Sequence, residues 1–139
     1  MTSSAVLVTG ATGFIAQHIV DKLLARGYSV IGTSRSQAKY SALLKNFKEK
    51  YPDENLFFEV VPDMLSENAF EDILKKYPEI KYVIHTASPH PGVKSKPNTQ
   101  NADSSTLKTS LEESYLKPAV GGLLNILRAI KNFGPQVTN

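Results

Sequence analysis

The run Val6-Leu7-Val8-Thr9-Gly10-Ala11-Thr12-Gly13-Phe14-Ile15-Ala16 constrains this chain more than any other stretch. An apolar run ends at Thr9, a glycine-rich turn follows, and apolar residues recur at helical spacing at Ile15, Ile19, Val20, Leu23 and Leu24. The pattern predicts a strand, a tight turn and a helix. Gly10 permits the exit from the strand, Gly13 removes a side chain that would obstruct a diphosphate, and small Ala16 lets helix and strand approach closely. The first-turn N–H groups of such a helix face an anion. A bare glycine pattern recurs in many loops, but a readable strand before it and helix after it favour dinucleotide binding over a ligand-free β-turn-α connection.

Further along, strands and helices alternate. Gly27 is placed to stop the first helix, and Tyr28 to Ser34 read as a second strand. Tyr40, Leu43, Leu44, Phe47 and Tyr51 then recur at spacings of three and four, and Pro52 closes that helix. Leu56 to Val61 form a third strand, mostly apolar on both faces as buried parallel strands are. Ser66 is positioned to cap a short helix carrying Phe70, Ile73, Leu74 and Tyr77, ended by Pro78, and Tyr82 to Ala87 make a fourth strand. Four such alternations predict an α/β fold of Rossmann type, a doubly wound parallel sheet in the order 3-2-1-4 with later strands missing.

Residues 88–109 change character, with prolines, a glycine and a polar run but no apolar period, and read as a long loop inside a single 1–139 dinucleotide-binding domain. Ser110 and Glu113 form a capping box for a helix carrying Val120, Leu123, Leu124, Leu127 and Ile130, with Pro118 expected to kink it near its start. Gly121-Gly122 leaves a smooth patch for contact with the sheet, Gly134-Pro135 stops the helix, and Gln136 to Asn139 approach another strand.

Composition narrows the class. The 139 residues make one domain at most, and the absence of cysteine excludes disulfides and thiolate metal sites. The first apolar run is too short for a signal peptide and no run reaches bilayer length, so a cytoplasmic protein without membrane spans is expected. The net charge of +3 comes from dispersed lysines, partly balanced by nearby acids, which argues against a nucleic-acid partner.

The end of the second strand chooses between the nicotinamide dinucleotides. An NAD site places an acid there for the ribose hydroxyls, whereas an NADP site uses an arginine. From Ser29 to Ser36 there is no acid; Arg35 stands at that place and Lys39 follows. A guanidinium grips a phosphate in bidentate fashion and an ammonium adds charge, so NADPH is favoured. Asp63, just past the third strand, is placed either to accept from the adenine amino group, with Met64 against the ring, or to cap the next helix.

These stretches, with Val60-Val61-Pro62-Asp63, His85-Thr86-Ala87-Ser88-Pro89 and Lys117-Pro118-Ala119-Val120, resemble the extended short-chain dehydrogenase/reductases. Within them the similarity is to the yeast-type NADPH-dependent aldehyde and ketone reductases, the methylglyoxal-type enzymes related to dihydroflavonol reductases. The resemblance implies a cofactor site of Gly10, Ala11, Thr12, Gly13, Phe14 and Ile15 at the turn, with Arg35 and Lys39 on the 2′-phosphate. It further implies Asp63 and Met64 at the adenine, Thr86, Ala87 and Ser88 on the nicotinamide side, and hydride transfer from NADPH to a small-molecule carbonyl substrate. Family members are longer, and their catalytic Ser and Tyr-x-x-x-Lys are expected beyond Asn139, leaving no catalytic residue in a truncated chain. Such a chain would expose its fourth strand as an apolar edge and self-associate. Two further departures are Gly121 where the family commonly has Asn, and a longer polar run after Pro89.

One match to the catalytic pattern, Tyr77-Pro78-Glu79-Ile80-Lys81, is set aside, because Pro78 and the following strand deny tyrosine and lysine a shared helical turn. No metal site is expected at His85 and His90, which lack a third ligand nearby, and His18 reads as an exposed or half-buried helix residue. Two other functions fit the same residues: a non-catalytic NADP(H) sensor or interaction module, and a fragment of an NAD-dependent sugar-nucleotide epimerase or dehydratase.

Overall fold

A computed structural model describes residues 4–52, 55–66, 68–87 and 117–138. Along the chain these form β1 (Ala5–Thr9), α1 (Phe14–Ala25), β2 (Ser29–Ser34), α2 (Gln37–Lys50), β3 (Leu56–Val60), α3 (Glu71–Lys76), β4 (Ile80–His85) and α4 (Lys117–Phe133). The strands pair in parallel in the order β3-β2-β1-β4, as expected.

Alternation along β1 decides which helices cover which face. Val6 and Val8 point to one side, where they pack with Ala16, Val20 and Leu24 of α1 and Phe47 of α2. Ala5 and Leu7 point to the other, against Phe70, Ile73 and Leu74 around α3 and Ile126 and Ala129 of α4. A strand buried on both faces needs apolar residues at every position, which is why β1 reads as a continuous apolar run. The helix α1 ends where Gly27 takes φ +80°, a conformation that costs glycine little.

Four expectations are corrected. The third strand is not buried on both faces: β3 lies at the sheet edge, and Phe57 and Val60 are 44% and 42% exposed. The residue capping α3 is Phe70 rather than Ser66, because Asp63 and Ser66 instead close a turn in which Ser66 N donates to the Asp63 carbonyl at 3.2 Å. On α4 the face carrying Val120, Leu123, Leu124 and Leu127 is exposed, and the helix packs through Ile126 and Ala129. Gly121 and Gly122 meet Leu65 and Met64, in the loop after β3, rather than the sheet. The expected 88–109 loop and the capping box at Ser110 and Glu113 lie outside the described residues, whereas Pro118 falls in the first turn of the described helix, which opens at Lys117, a position where proline is tolerated. Past α4, Thr138 N donates to the Lys81 carbonyl at 2.9 Å, on the outer edge of β4.

Two exposed ion pairs tie the outer layers together. Lys50 Nζ and the Tyr51 hydroxyl both donate to Asp21, at 2.7 and 2.8 Å, and hold its carboxyl below the ordinary value of 3.8. Burial pushes Glu59 up, but hydrogen bonds from Lys76 and Tyr77 outweigh it and leave Glu59 below 4.5. A carboxyl depressed by folding stabilises fully above its unfolded value and loses that contribution as pH falls through the folded one. The urea midpoint is therefore expected to drop as pH falls below about 5, through the unfolded and then the folded carboxyl values. A D21N/E59Q double variant should show a smaller drop over the same range; an equal drop in both chains would contradict the assignment.

Candidate functional site: the cleft at the ends of β1, β2 and β4

The sheet splits at β1: the chain passes to β2 on one side and to β4 on the other, leaving a crevice outside the carboxyl ends of the strands. A cavity of about 300 Å³ occupies it, lined by the Gly10–Gly13 turn, the end of β2 and residues from the far side, including Met64 and Thr86.

The turn is held by hydroxyl groups. Thr9 is fully buried, and its Oγ1 accepts N–H bonds from Thr86 and Ala87, each 3.1 Å. With those acceptor sites used, its own proton goes to His85 Nδ1 at 2.8 Å. Burial also pushes the His85 imidazole down from its ordinary value, which favours the neutral ring whose Nδ1 accepts this proton. Thr86 Oγ1 donates back to the Thr9 carbonyl. Across the cleft Thr33 Oγ1 accepts from Gly10 N at 3.1 Å and the Thr33 carbonyl from Ala11 N at 2.9 Å. Gly10 has φ +63°, and a Cβ there would stand 2.9 Å from the Ala87 backbone. Only glycine allows the turn to lie so close to the end of β4.

This bonding sorts the turn residues expected to bind an anion. The N–H groups of Gly10, Ala11 and Gly13 are spent on Thr33 and on the Gly10 carbonyl. Those of Thr12, Phe14 and Ile15 have no acceptor among the described residues. The last two open α1, where the helix dipole is positive, and their side chains are 80% and 70% exposed. Ala11 is fully buried and contributes to packing beneath the turn.

Among the other expected site residues, Arg35, Lys39, Met64, Thr86 and Ala87 all line the cavity. Asp63 does not; it lies exposed, and its Oδ1 accepts Leu65 N–H at 2.9 Å. Ser88 lies outside the described residues. Thr9, Thr33, Ser34, Val61 and Phe70 shape the crevice without having been singled out as site residues. A signal existed for three of them: Thr9, Thr33 and Ser34 are hydroxyl residues that stand, with the expected Thr86, at matching ends of three neighbouring strands. No group of metal-ligating side chains occurs among the described residues. The Tyr77 hydroxyl donates to Glu59 at 2.6 Å and burial pushes its pKa up, the reverse of what proton donation to a carbonyl requires.

The cleft suits a phosphorylated dinucleotide on its donor chemistry. Among the described residues it combines backbone N–H groups without acceptors, a guanidinium and an ammonium, and no carboxylate lines it.

Comparison with known proteins follows the same line. Residues 6–137 match the NAD dependent epimerase/dehydratase family. The chain is 41% identical over 130 residues to the NADPH-dependent methylglyoxal reductase GRE2 of Saccharomyces cerevisiae, covering 92% of this chain and 33% of that protein. It is 36% identical to aldehyde reductase 2 of Sporidiobolus salmonicolor, covering 91% of this chain and 31% of the relative. A crystal structure of Gre2 from Candida albicans in complex with NADPH superposes with a TM-score of 0.75 at 43% identity, over 96% of this chain and 35% of that one. The chain thus spans about a third of the length of the curated relatives it matches.

Replacing Thr9 by Val keeps its shape and leaves two part-buried N–H groups, those of Thr86 and Ala87, without this acceptor. Thr9→Val is expected to cost about 2 kcal/mol in urea unfolding, with Thr9→Ser retaining most of the stability. Equal stability of Thr9→Val and the unsubstituted chain would show that the hydroxyl does not hold β4 to the turn.

Proposed function

This chain belongs to the NAD dependent epimerase/dehydratase family, and on that premise we propose that it is the NADPH-binding portion of an oxidoreductase that reduces aldehydes or ketones. The observation carrying the reading is the pairing of Arg35 and Lys39 with the glycine turn around one cavity that no carboxylate among the described residues lines. An acid at the end of β2 would serve ribose hydroxyls; two cations there serve a 2′-phosphate.

Each part of the cleft then has a task. The amides of Thr12, Phe14 and Ile15 hold the diphosphate at the N-terminus of α1. Arg35 grips the 2′-phosphate and Lys39 adds a second charge. Met64 packs on the adenine and Thr86 and Ala87 form the nicotinamide wall, while Asp63, which accepts Leu65 N–H, shapes the loop that carries Met64. Bound NADPH supplies a hydride to the carbonyl carbon. The proton reaching the carbonyl oxygen comes from outside the residues described here, since Tyr77 is committed to Glu59.

Residues 1–139 act in this reading as one domain. A cytoplasmic location belongs to the same proposal, supported by the lack of cysteine; no described helix is long and apolar enough to cross a membrane. Self-association along β4 is also proposed. Among the described residues no strand lies beyond β4, and Thr138 covers only the Lys81 carbonyl.

Titration of the chain with NADPH is expected to saturate, with NADH binding more weakly. Arg35→Ala should weaken NADPH at least about tenfold and leave NADH little changed. Absence of saturable binding, or equal loss for both dinucleotides, would overturn the reading. Sedimentation should show a weight-average mass that rises with concentration; a strict monomer throughout would remove the edge from it.

A further inference from the structure

The loop between β3 and α3 carries Met64, which lines the cleft, and its position is not set by the sheet alone. Asp63 Oδ1 and the Asp63 carbonyl close it internally, onto Leu65 N–H and Ser66 N–H. Two of its carbonyls, those of Met64 and Ser66, point away from the sheet toward α4. Asn125 Nδ2 donates to both, at 2.9 and 3.2 Å. One amide nitrogen has two protons, so each carbonyl receives one. One helical turn earlier, a Cβ on Gly122 would run into the Met64 methyl, and one on Gly121 would stand 2.9 Å from Leu65 Cδ2. The helix is therefore close enough to grip the loop at three points, while Ile126 and Ala129 anchor α4 in the core.

We infer that Asn125 is a positioning residue for the nucleotide: its carboxamide clamps the Met64 and Ser66 carbonyls and so sets where Met64 stands against the adenine. Asn125 does not itself line the cavity. The inference rests on the NADPH reading above and adds a determinant of adenine-side affinity on α4, which carries none of the expected cofactor-binding residues. The chemistry demands a double donor at this position. A carboxylate of the same shape offers only acceptors to two carbonyl oxygens and would push the loop away.

Asn125→Asp tests this in the 139-residue chain, with 2′,5′-ADP as the probe of the adenine side and inorganic pyrophosphate as the probe of the glycine turn. The expected result is a loss of about tenfold in affinity for 2′,5′-ADP with pyrophosphate unchanged. Equal loss for both probes, or a lowered melting temperature with both affinities intact, would assign Asn125 a purely structural role and overturn the inference. In the unsubstituted chain, hydrogen exchange of the Asn125 side-chain amide should slow when 2′,5′-ADP binds, which decides the matter even if the variant does not fold; unchanged exchange would overturn it. Failure of the unsubstituted chain to bind 2′,5′-ADP would bring down the nucleotide reading and this inference together, whereas binding that Asn125→Asp leaves intact brings down only this one.

Discussion

The hydroxyl of Thr9 holds the two halves of the molecule in register. It sits at the end of the central strand, fully buried, accepts from the backbone of Thr86 and Ala87, and gives its proton to His85. Because β1 is the strand from which the chain departs in both directions, whatever fixes its end fixes the width of the crevice there. Thr33 does the corresponding work on the β2 side by taking the Gly10 and Ala11 N–H groups. The turn is thus suspended between two threonines. Of the amides left without an acceptor among the described residues, that of Thr12 belongs to a residue lining the cleft and those of Phe14 and Ile15 open α1.

Charge is distributed to the same end. The carboxylates of Asp21 and Glu59 are engaged by Lys50 and Lys76 on the outer layers, and none enters the cavity. The cleft keeps Arg35, Lys39 and the positive end of α1, a field suited to several negative charges bound together. A site of this sign at the switch point of a parallel sheet is where the fold places a dinucleotide, and the residues present supply the phosphate chemistry.

Much of this was legible in the residue order, for local reasons. The glycine turn, the Gly27 stop and the strand order follow from backbone freedom and apolar period, which act over a few residues. What failed depended on partners distant in the chain. Apolar residues nearly encircle α4, so period alone could not say that Ile126 and Ala129 face the core while Leu123 and Leu127 face out. The third strand reads as apolar enough for burial on both faces, yet its place at the edge of the expected order leaves Phe57 and Val60 exposed. Ser66 has the chemistry of a cap, but Asp63 three residues earlier draws it into a turn. Asn125 carried no signal because its acceptors are 61 and 59 residues away.

The central claim is that the amides opening α1, together with the cations after β2, bind a phosphorylated dinucleotide. An ¹⁵N-resolved NMR titration with NADPH tests it most directly. The account requires saturable shifts of the Thr12, Phe14 and Ile15 amides, with Arg35 moving over the same concentration range. Resonances that stay still at that turn, or that move only along the α1 and α2 face around Asp21 and Lys50, would contradict it.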